Sequence, residues 1–248
     1  GKAHFVNDLH RPDALTGYIV TSEVASGRIR RIDTTEARKM PGVHAVLTSE
    51  DIPGVNNMGA VADDEPCLAS GVVQFVGQAV VLVAADTPEQ AEAAARKVMV
   101  SIEPLPAFTT LKEAMQDGEL LAPPRVIHSG DVEKALSEAP HVIEGTLVTG
   151  AQEHWYLETQ STLCIPAESH LHLISSTQHP SETQALVAGV LGLARNRVQV
   201  EAPRLGGAFG GKETQASHVA CWASLLAHTT GRPVRIHLGR QQDMSITG

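Results

Sequence analysis

The stretch Arg204-Leu-Gly-Gly-Ala-Phe-Gly-Gly-Lys-Glu-Thr214 is the most informative part of this 248-residue chain. Its four glycines surround a single phenylalanine, between a strand-like run (Val198 to Val200) and an apolar helical run (Ala216 to Leu226). Glycine is favoured where the backbone adopts a positive φ or comes close to another group. The stretch therefore predicts a loop between a strand and a helix, with backbone N–H groups that face a bound, electron-rich group.

The same stretch nearly forms a phosphate-binding P-loop. Gly206 is followed after four residues by Gly211 and Lys212, as that motif requires. The motif then needs a Ser or Thr hydroxyl to hold Mg²⁺, but Glu213 occupies this position and its carboxylate would repel phosphates. A nucleotide-binding module that uses Gly206 to Lys212 is therefore the disfavoured alternative, and it predicts Mg²⁺-dependent binding of ATP.

Two residues of the stretch have both a functional and a structural interpretation. Phe209, Gly210 and Gly211 offer backbone N–H groups to a ligand, or they form a tight turn that packs against a neighbouring strand. Glu213 hydrogen-bonds a polar heterocyclic substrate in a cleft, or it simply begins a helix, where a carboxylate gains about 0.3–1 kcal/mol from the macrodipole. Lys212 is then a salt-bridge partner or is solvated.

The composition describes an acidic globular protein. The hydrophobic and charged contents, 42% and 19%, are ordinary for such a protein, and the net charge of −9 without a basic run disfavours nucleic acid and anionic membranes as partners. The cysteines Cys67, Cys164 and Cys221 lie far apart, without a CxxC pair. They form no predicted disulfide framework, zinc site or iron–sulfur site, and they fit a reducing compartment, so we expect a cytoplasmic protein.

The chain is predicted to be a fragment with two domains. It lacks an initiator Met and ends at Gly248 without a terminal tail, although a complete small protein with processed ends is the alternative. The segment from Gly118 to Gly130, with its two adjacent prolines, is the best candidate linker. We therefore expect a first domain over residues 1–118, a linker over 119–130 and a second domain over 131–248.

Strands and helices are predicted to alternate along both halves of the chain. Thr87 with Gln90 and Ser181 with Gln184 form predicted capping boxes at two helix starts. The predicted strands are Tyr18–Thr21, Gly27–Ile32, His44–Leu47, Phe75–Ala84, Val98–Ile102, Val142–Val148, Thr162–Ile165, His172–Ser175, Val198–Val200 and Pro233–Leu238. The predicted helices follow Thr34 or Thr35, cover Glu89–Lys97 and Val132–Ser137, run from Ser181 to near Gly192, and cover Ala216–Thr230.

Two further groups of polar residues are candidates for a site. Gln178 lies before a predicted helix, where its amide can bond a metal-bound oxygen without displacing it, although a Gln in a loop is usually solvated. His154 and Glu158 have the i, i+4 spacing of a metal pair on a helix. Their aromatic and apolar neighbours favour a strand or tight turn as much as a helix, and no second pair is present.

Together these segments resemble the molybdenum-binding subunit of the xanthine dehydrogenase family, the molybdenum hydroxylases. Gly150 to Thr159 is similar to the family's GGQEHFYLET, Ser175 to Gln178 to its S-T-Q segment, and Arg204 to Thr214 to RMGGGFGGKET. Gly231 to Arg235 and Asp243 to Gly248 are similar to GRPVR and DMxITG. Gly71 to Ala84 and Ile102 to Ala107 resemble the small α/β hammerhead domain of bacterial members that carry the molybdenum domain on a separate chain.

The resemblance implies a mixed α/β fold, with a hammerhead domain followed by the first part of a molybdopterin-binding domain. It implies that Gln178 hydrogen-bonds an oxygen on molybdenum and that Phe209, Gly210 and Gly211 lie against the cofactor. Gln178 and Phe209 would thus contact the molybdenum centre without being its ligands. Glu213 would contact a purine, since family members that prefer aldehydes tend to lack this residue.

The reaction implied by the resemblance is hydroxylation of xanthine or hypoxanthine with water. Electrons would pass from molybdopterin to 2Fe-2S clusters and then FAD in partner subunits or domains, in an oligomer when the enzyme is full length. The family's catalytic glutamate and a substrate-positioning arginine lie further along, so this chain is expected to hold no catalytic residue and to be inactive alone.

Three of the differences from the family pattern bear on the candidate site. Ala208 replaces the third glycine of the loop, Trp155 replaces a Phe and Ala151 replaces a Gly, and none of them removes a functional group. An aldehyde or other N-heterocycle oxidase of the same family is the first alternative. A non-catalytic interaction domain is another, in which the intact site residues would be a coincidence.

Overall fold

The computed structural model describes residues 3–118, 120 and 122–247. The described residues of 1–106 and 154–248 form one compact unit, and those of 107–153 form a second. The strands are β1 Leu15–Thr21, β2 Gly27–Asp33, β3 Val43–Leu47, β4 Val72–Val73, β5 Ala79–Ala85, β6 Met99–Pro104, β7 Ser161–Pro166, β8 Leu171–Ser175, β9 Val198–Glu201 and β10 Val234–His237. The helices are α1 Thr35–Arg38, α2 Pro88–Ala95, α3 Leu111–Asp117, α4 Val132–Glu138, α5 Pro180–Leu191, α6 Gln215–Thr230 and α7 Arg240–Ile246.

The larger unit contains two sheets, which confirms the mixed α/β class. Seven strands form one sheet in the order β3-β5-β1-β10-β7-β8-β9, and β4-β2-β6 form the other. The pairs β1–β10 and β8–β9 are parallel, and the other pairs are antiparallel. Strands from both halves of the chain thus share one sheet, with Leu15 of β1 opposite Val234 of β10. The division at residues 119–130 stays a prediction.

Strand β5 lies between two hydrophobic cores. Leu82 and Ala84 belong to a core that includes Val187 of α5 and Leu226 of α6, while Val83 belongs to a second core on the other face of the strand. Every residue of β5 is buried, as the continuous apolar run predicted. The alternation of side chains across a strand explains how one run supplies both cores.

The beginning of that strand was predicted wrongly. The sequence predicted a strand from Phe75, whereas β5 begins at Ala79. Gly77 has a φ of +101°, so the chain turns before the strand, and Phe75 and Val76 are exposed on this turn. An apolar run therefore does not mark where a strand begins when a glycine inside it takes a positive φ.

The predicted strand Val142–Val148 is also wrong. These residues form no strand, and Val142, Ile143, Leu147 and Val148 are all exposed. A strand needs a neighbouring strand to accept and donate its backbone hydrogen bonds, and the described residues of 107–153 provide none. The pattern of the segment is that of a strand, but the described residues around it do not pair with it.

Helix starts were predicted with mixed success. At α2 the Thr87 hydroxyl accepts from the backbone N–H of Gln90, as predicted, but Gln90 Oε1 accepts no hydrogen bond in return, so the capping box is only half formed. Helix α5 begins at Pro180 without a side-chain cap, and Gln184 donates to the backbone of Val198 instead, so the second capping box is wrong. Helices α3 and α7 were not predicted, although Thr110 and Glu113 form a capping box at α3.

The C-terminal end of α5 is capped by an incoming segment that contains Gly54 and Val55. The backbone N–H groups of Gly54 and Val55 donate to the carbonyl oxygens of Val190 and Gly189, at 2.9 and 3.0 Å. The last carbonyl groups of a helix have no partner inside the helix, so these bonds satisfy two of them. The approach is close, because a Cβ atom on Gly54 would lie 2.1 Å from the Gly189 oxygen.

The cysteines take no part in a disulfide. Cys67, Cys164 and Cys221 are free and buried. Burial raises the pKa of Cys164 to about 12, so its thiol stays protonated at neutral pH. In the part of the chain that the structure describes, no helix has the length and apolar character needed to cross a membrane.

A contact between Glu65 and His218 makes the stability of the larger unit depend on pH. Glu65 Oε2 lies 3.1 Å from His218 Nε2 on α6, and this hydrogen bond lowers the pKa of Glu65. A carboxylate with a lowered pKa stabilises the fold above the unfolded value of about 4.3, and this stabilisation is lost as pH falls through the folded value.

We therefore expect Glu65→Gln to lower the melting temperature at pH 7 and to have a smaller effect at pH 3. The contact is partly exposed, so the loss at pH 7 should be below about 1 kcal/mol. Thermal unfolding at both pH values measures it, and Glu50→Gln, at an exposed position, is the control. An equal difference at both pH values would contradict the assignment.

Candidate functional site

The glycine-rich loop, Gly206 to Lys212, connects β9 to α6 and has an unusual backbone. Gly207 and Gly210 have φ angles of +94° and +100°, and Phe209 has a φ of +54°. A side chain in this region of φ is strained by roughly 1–2 kcal/mol. The Phe209 ring is also 76% exposed, so packing of the ring does not compensate for the strain. Strain of this kind often marks a ligand site.

The tip of the loop presents free backbone donors. Inside the loop and just after it, Gly211 N–H donates to Ala208 O at 2.8 Å and Glu213 N–H donates to Gly210 O at 3.1 Å. The N–H groups of Phe209 and Gly210 have no acceptor among the described residues. Two of the three predicted donors are therefore available to a ligand, while the prediction that Gly211 offers its N–H is wrong.

Gln178 lies beside the end of the loop, between β8 and α5. Its backbone N–H donates to Lys212 O at 2.8 Å, and its side-chain Oε1 accepts from Lys212 N–H at 3.2 Å. With Oε1 engaged, the Nε2 group is left as a donor without an acceptor among the described residues. Gln178 is exposed, so this donor is available to an oxygen acceptor of a ligand.

Lys212 is a salt-bridge partner inside the protein. Its side chain is 0% exposed, and Nζ lies 3.0 Å from Glu158 Oε2 and 4.8 Å from the centre of the Tyr156 ring. Desolvation lowers the pKa of Lys212, and the hydrogen bond to Glu158 opposes this. A lysine that binds phosphate must reach its ligand, so the structure argues against a nucleotide-binding loop.

The segment that contains His154 and Glu158 is irregular. Residues 151–160 include no helix, so the i, i+4 spacing does not place the two side chains on one face. Glu158 Oε2 is already engaged by Lys212 and by the N–H of Gly206. His154 instead packs under the loop, 2.8–2.9 Å from where a Cβ atom of Gly211 would lie. The i, i+4 spacing of His154 and Glu158 therefore does not produce a pair of metal ligands.

Glu213 is exposed and lies two residues before α6 begins at Gln215. Its position outside the helix argues against the interpretation that it simply begins the helix. The hydrogen bond from its N–H to Gly210 O fixes its backbone directly after the loop tip. Its side chain is thus accessible at a residue whose backbone is bonded to the tip of the loop.

A buried polar network beneath the loop was missed by sequence reasoning. Gln160 Nε2 donates to Gly211 O at 2.8 Å, and Gln160 N–H donates to Asp243 Oδ1 at 2.9 Å. The Tyr156 hydroxyl lies 3.2 Å from the Thr247 hydroxyl. These residues belong to segments that are far apart in sequence, and the sequence contains no signal that they meet.

The arrangement suits an oxygen-rich ligand. Phe209 and Gln178 are exposed and Gly210 is half-buried, and the donors of all three are neutral, while Glu213 adds a carboxylate. Such donors favour oxygen acceptors, and a turn with successive N–H groups and positive φ angles is an anion-binding concavity. Molybdopterin carries oxygen acceptors, so the neutral donors of the residues present fit this cofactor.

The fold and this loop define a molybdopterin-binding domain that follows a hammerhead domain. Residues 118–248 match the family model described as the molybdopterin cofactor-binding domain. Residues 1–106 match that of the a/b hammerhead domain of aldehyde oxidase and xanthine dehydrogenase. The chain belongs to the xanthine dehydrogenase family of molybdenum hydroxylases, as its motifs indicated.

The chain is also similar in sequence to curated relatives. The xanthine dehydrogenase/oxidase of Mus musculus is 43% identical over 251 residues, which covers 100% of this chain and 19% of the relative. The xanthine dehydrogenase of Dictyostelium discoideum is 41% identical over 249 residues, with 100% and 18% covered. The chain therefore spans about a fifth of the length of these curated relatives.

Among solved structures, the aldehyde oxidoreductase of Desulfovibrio gigas superimposes with a TM-score of 0.86 at 28% identity. The match covers 99% of this chain and 29% of that protein. The structural neighbour and the sequence relatives thus have names that refer to different substrates, an aldehyde and xanthine.

Proposed function

We propose that this chain forms part of the molybdopterin site of a purine hydroxylase that acts on xanthine or hypoxanthine. The observation that carries the proposal is the loop tip, where Phe209 and Gly210 present N–H groups without acceptors among the described residues, followed three residues later by the exposed Glu213. When bound, molybdopterin supplies a molybdenum centre that oxidises the substrate by two electrons, with water as the source of oxygen.

In this proposal the residues of this chain bind the cofactor and orient it. The N–H groups of Phe209 and Gly210 would donate to acceptors of the cofactor, and the Gln178 Nε2 group would hold it with a further hydrogen bond. The strained φ of Phe209, +54°, is set by the fold of the loop itself. Because these donors are fixed in advance, binding requires little rearrangement of the loop.

The choice of a purine depends on Glu213. A carboxylate directed at the substrate hydrogen-bonds the ring N–H groups of a purine, whereas an aldehyde has no N–H to donate. Relatives named as xanthine dehydrogenases, at 41–43% identity over the whole chain, support the purine. The similarity to an aldehyde oxidoreductase is the observation that favours the alternative, an aldehyde oxidase.

The remaining steps of the reaction are assigned to proposed partner subunits or domains. Electrons would leave through 2Fe-2S clusters and FAD in partner subunits or domains, within an oligomeric, cytoplasmic enzyme. The residue that activates water is expected outside this chain.

Replacing Glu213 with Gln in the full-length enzyme tests the substrate. We expect kcat/KM for xanthine to fall by about 100-fold, the typical effect of losing one transition-state contact. Turnover of a small aldehyde should change little, because an aldehyde does not use the carboxylate. Steady-state kinetics with both substrates measures the two effects.

The matched control is Glu168→Gln, which removes an exposed carboxylate in the turn between β7 and β8. It should leave both activities unchanged. Equal losses for xanthine and aldehyde in Glu213→Gln, or no loss for either, would contradict the proposed purine contact.

A further inference from the structure

We propose that Glu158 and Lys212 are positioning residues that clamp the two ends of the glycine-rich loop and thereby hold its free donors in place. The inference rests on the proposed function, because it assigns this loop to the cofactor. Lys212 is wholly buried and the Glu158 side chain is 10% exposed, so both act from beneath the loop.

One oxygen atom joins the two ends of the loop. Glu158 Oε2 accepts from the backbone N–H of Gly206 at 2.8 Å and from Lys212 Nζ at 3.0 Å, and these are the first and last residues of the loop. The Glu158 N–H also donates to Gly206 O at 3.0 Å. The approach leaves no room for a side chain on Gly206, since its Cβ atom would lie 2.5 Å from the Glu158 Cβ.

The clamp fixes the end of the loop that adjoins Gln178. The backbone of Lys212 both donates to and accepts from Gln178, so a shift of Lys212 would move the Gln178 amide as well. Gln160 holds Gly211 O from below. The loop is therefore tied at its ends, while the N–H groups of Phe209 and Gly210 at its tip remain without acceptors among the described residues.

The charges of Glu158 and Lys212 explain why this ion pair can hold the loop in position. A buried ion pair adds little stability compared with apolar residues of similar size, but removal of one partner leaves an unpaired buried charge. Glu158 Oε2 accepts from both ends of the loop, which an apolar side chain could not do. The pair thus fixes geometry that apolar packing alone would leave free.

The test compares Lys212→Met with the double variant Glu158→Gln/Lys212→Met in the full-length enzyme. Lys212→Met alone leaves an unpaired carboxylate and risks misfolding. The double variant has no buried charge, and its Gln can still accept from Gly206 N–H, so we expect it to fold with a melting temperature near that of the wild type. It lacks the hydrogen bond between the side chains of residues 158 and 212.

The first expected result concerns local opening of the glycine-rich loop. In the double variant, hydrogen exchange of the peptide 205–213 should be about tenfold faster, because the ends of the loop open locally. Bound molybdenum, measured by mass spectrometry of the metal, should fall. In molecules that retain it, kcat should fall about tenfold with KM almost unchanged, which is typical for loss of residues that orient a metal site.

Lys39→Met is the control, because it breaks an exposed pair with Glu36 at 2.8 Å. It should leave exchange, molybdenum content and kcat unchanged. Wild-type exchange of peptide 205–213 and full molybdenum content in the double variant would overturn the clamp. A wild-type enzyme without molybdenum would instead refute the proposed function, and the exchange measurement would still decide on the clamp.

Discussion

Replacing Gly211 with alanine is expected to displace the glycine-rich loop and to lower stability by about 2–3 kcal/mol, as overpacking of a buried site does. A Cβ atom at this position would lie 2.7 Å from Tyr156 Cε1, 2.8 Å from His154 Cγ and 2.9 Å from His154 Nδ1. Tyr156 is buried, and its hydroxyl is hydrogen-bonded within the polar network. The ring therefore has little room to move, and the loop must shift instead.

Two measurements check this expectation. Thermal unfolding should show a melting temperature lower by roughly 4–12 °C, given about 2–4 °C per kcal/mol for a chain of this size. The molybdenum content of the full-length enzyme should fall at the same time, because the shifted loop misplaces its N–H donors. Gly239→Ala is the control, since a Cβ atom there meets nothing within 4 Å. An unchanged melting temperature in Gly211→Ala would show that the rings beneath the loop yield easily.

The sequence predicted most of the larger unit because its signals are local. Apolar runs and helix-ending glycines marked β7, β8, α5 and α6, and both Gly192 and Gly231 adopt the left-handed conformation that ends a helix. The errors occurred where a strand depends on something outside its own segment. Val142–Val148 has the composition of a strand, but the described residues of 107–153 contain no strand to pair with it, and no local pattern reveals this.

The candidate site shows the same division. The glycine pattern predicted a loop with positive φ angles and free N–H groups, which follow from glycine itself. The pattern could not show that Gly211 uses its N–H internally or that Lys212 points inward to Glu158. The first depends on the turn bond from Gly211 N–H to Ala208 O, and the second on a contact between residues 54 positions apart. Sequence spacing therefore indicated the ligand-facing donors better than it indicated their support.

Replacing Gly54 with alanine is expected to have the largest effect on the stability of the fold. The added Cβ atom would lie 2.1 Å from Gly189 O, 2.4 Å from Gly192 N and 2.7 Å from Val190 O, all of them backbone atoms. Backbone at the end of a packed helix cannot rotate away as a side chain does. We expect a loss of about 3 kcal/mol or more, at the upper end of overpacking effects.

The expected loss corresponds to a melting temperature lower by at least about 6 °C. The hydrogen bonds from Gly54 and Val55 to the end of α5 would break together, because the incoming segment must withdraw to make room. Gly189→Ala is the matched control in the same contact region. It lies in α5 on an exposed surface where a Cβ atom meets nothing within 4 Å, so it should raise stability by about 0.5–1 kcal/mol. Opposite signs for the two substitutions would show that crowding of the backbone at residue 54, and not glycine's flexibility, decides the outcome, whereas a small loss in Gly54→Ala would mean that the segment and the helix separate easily.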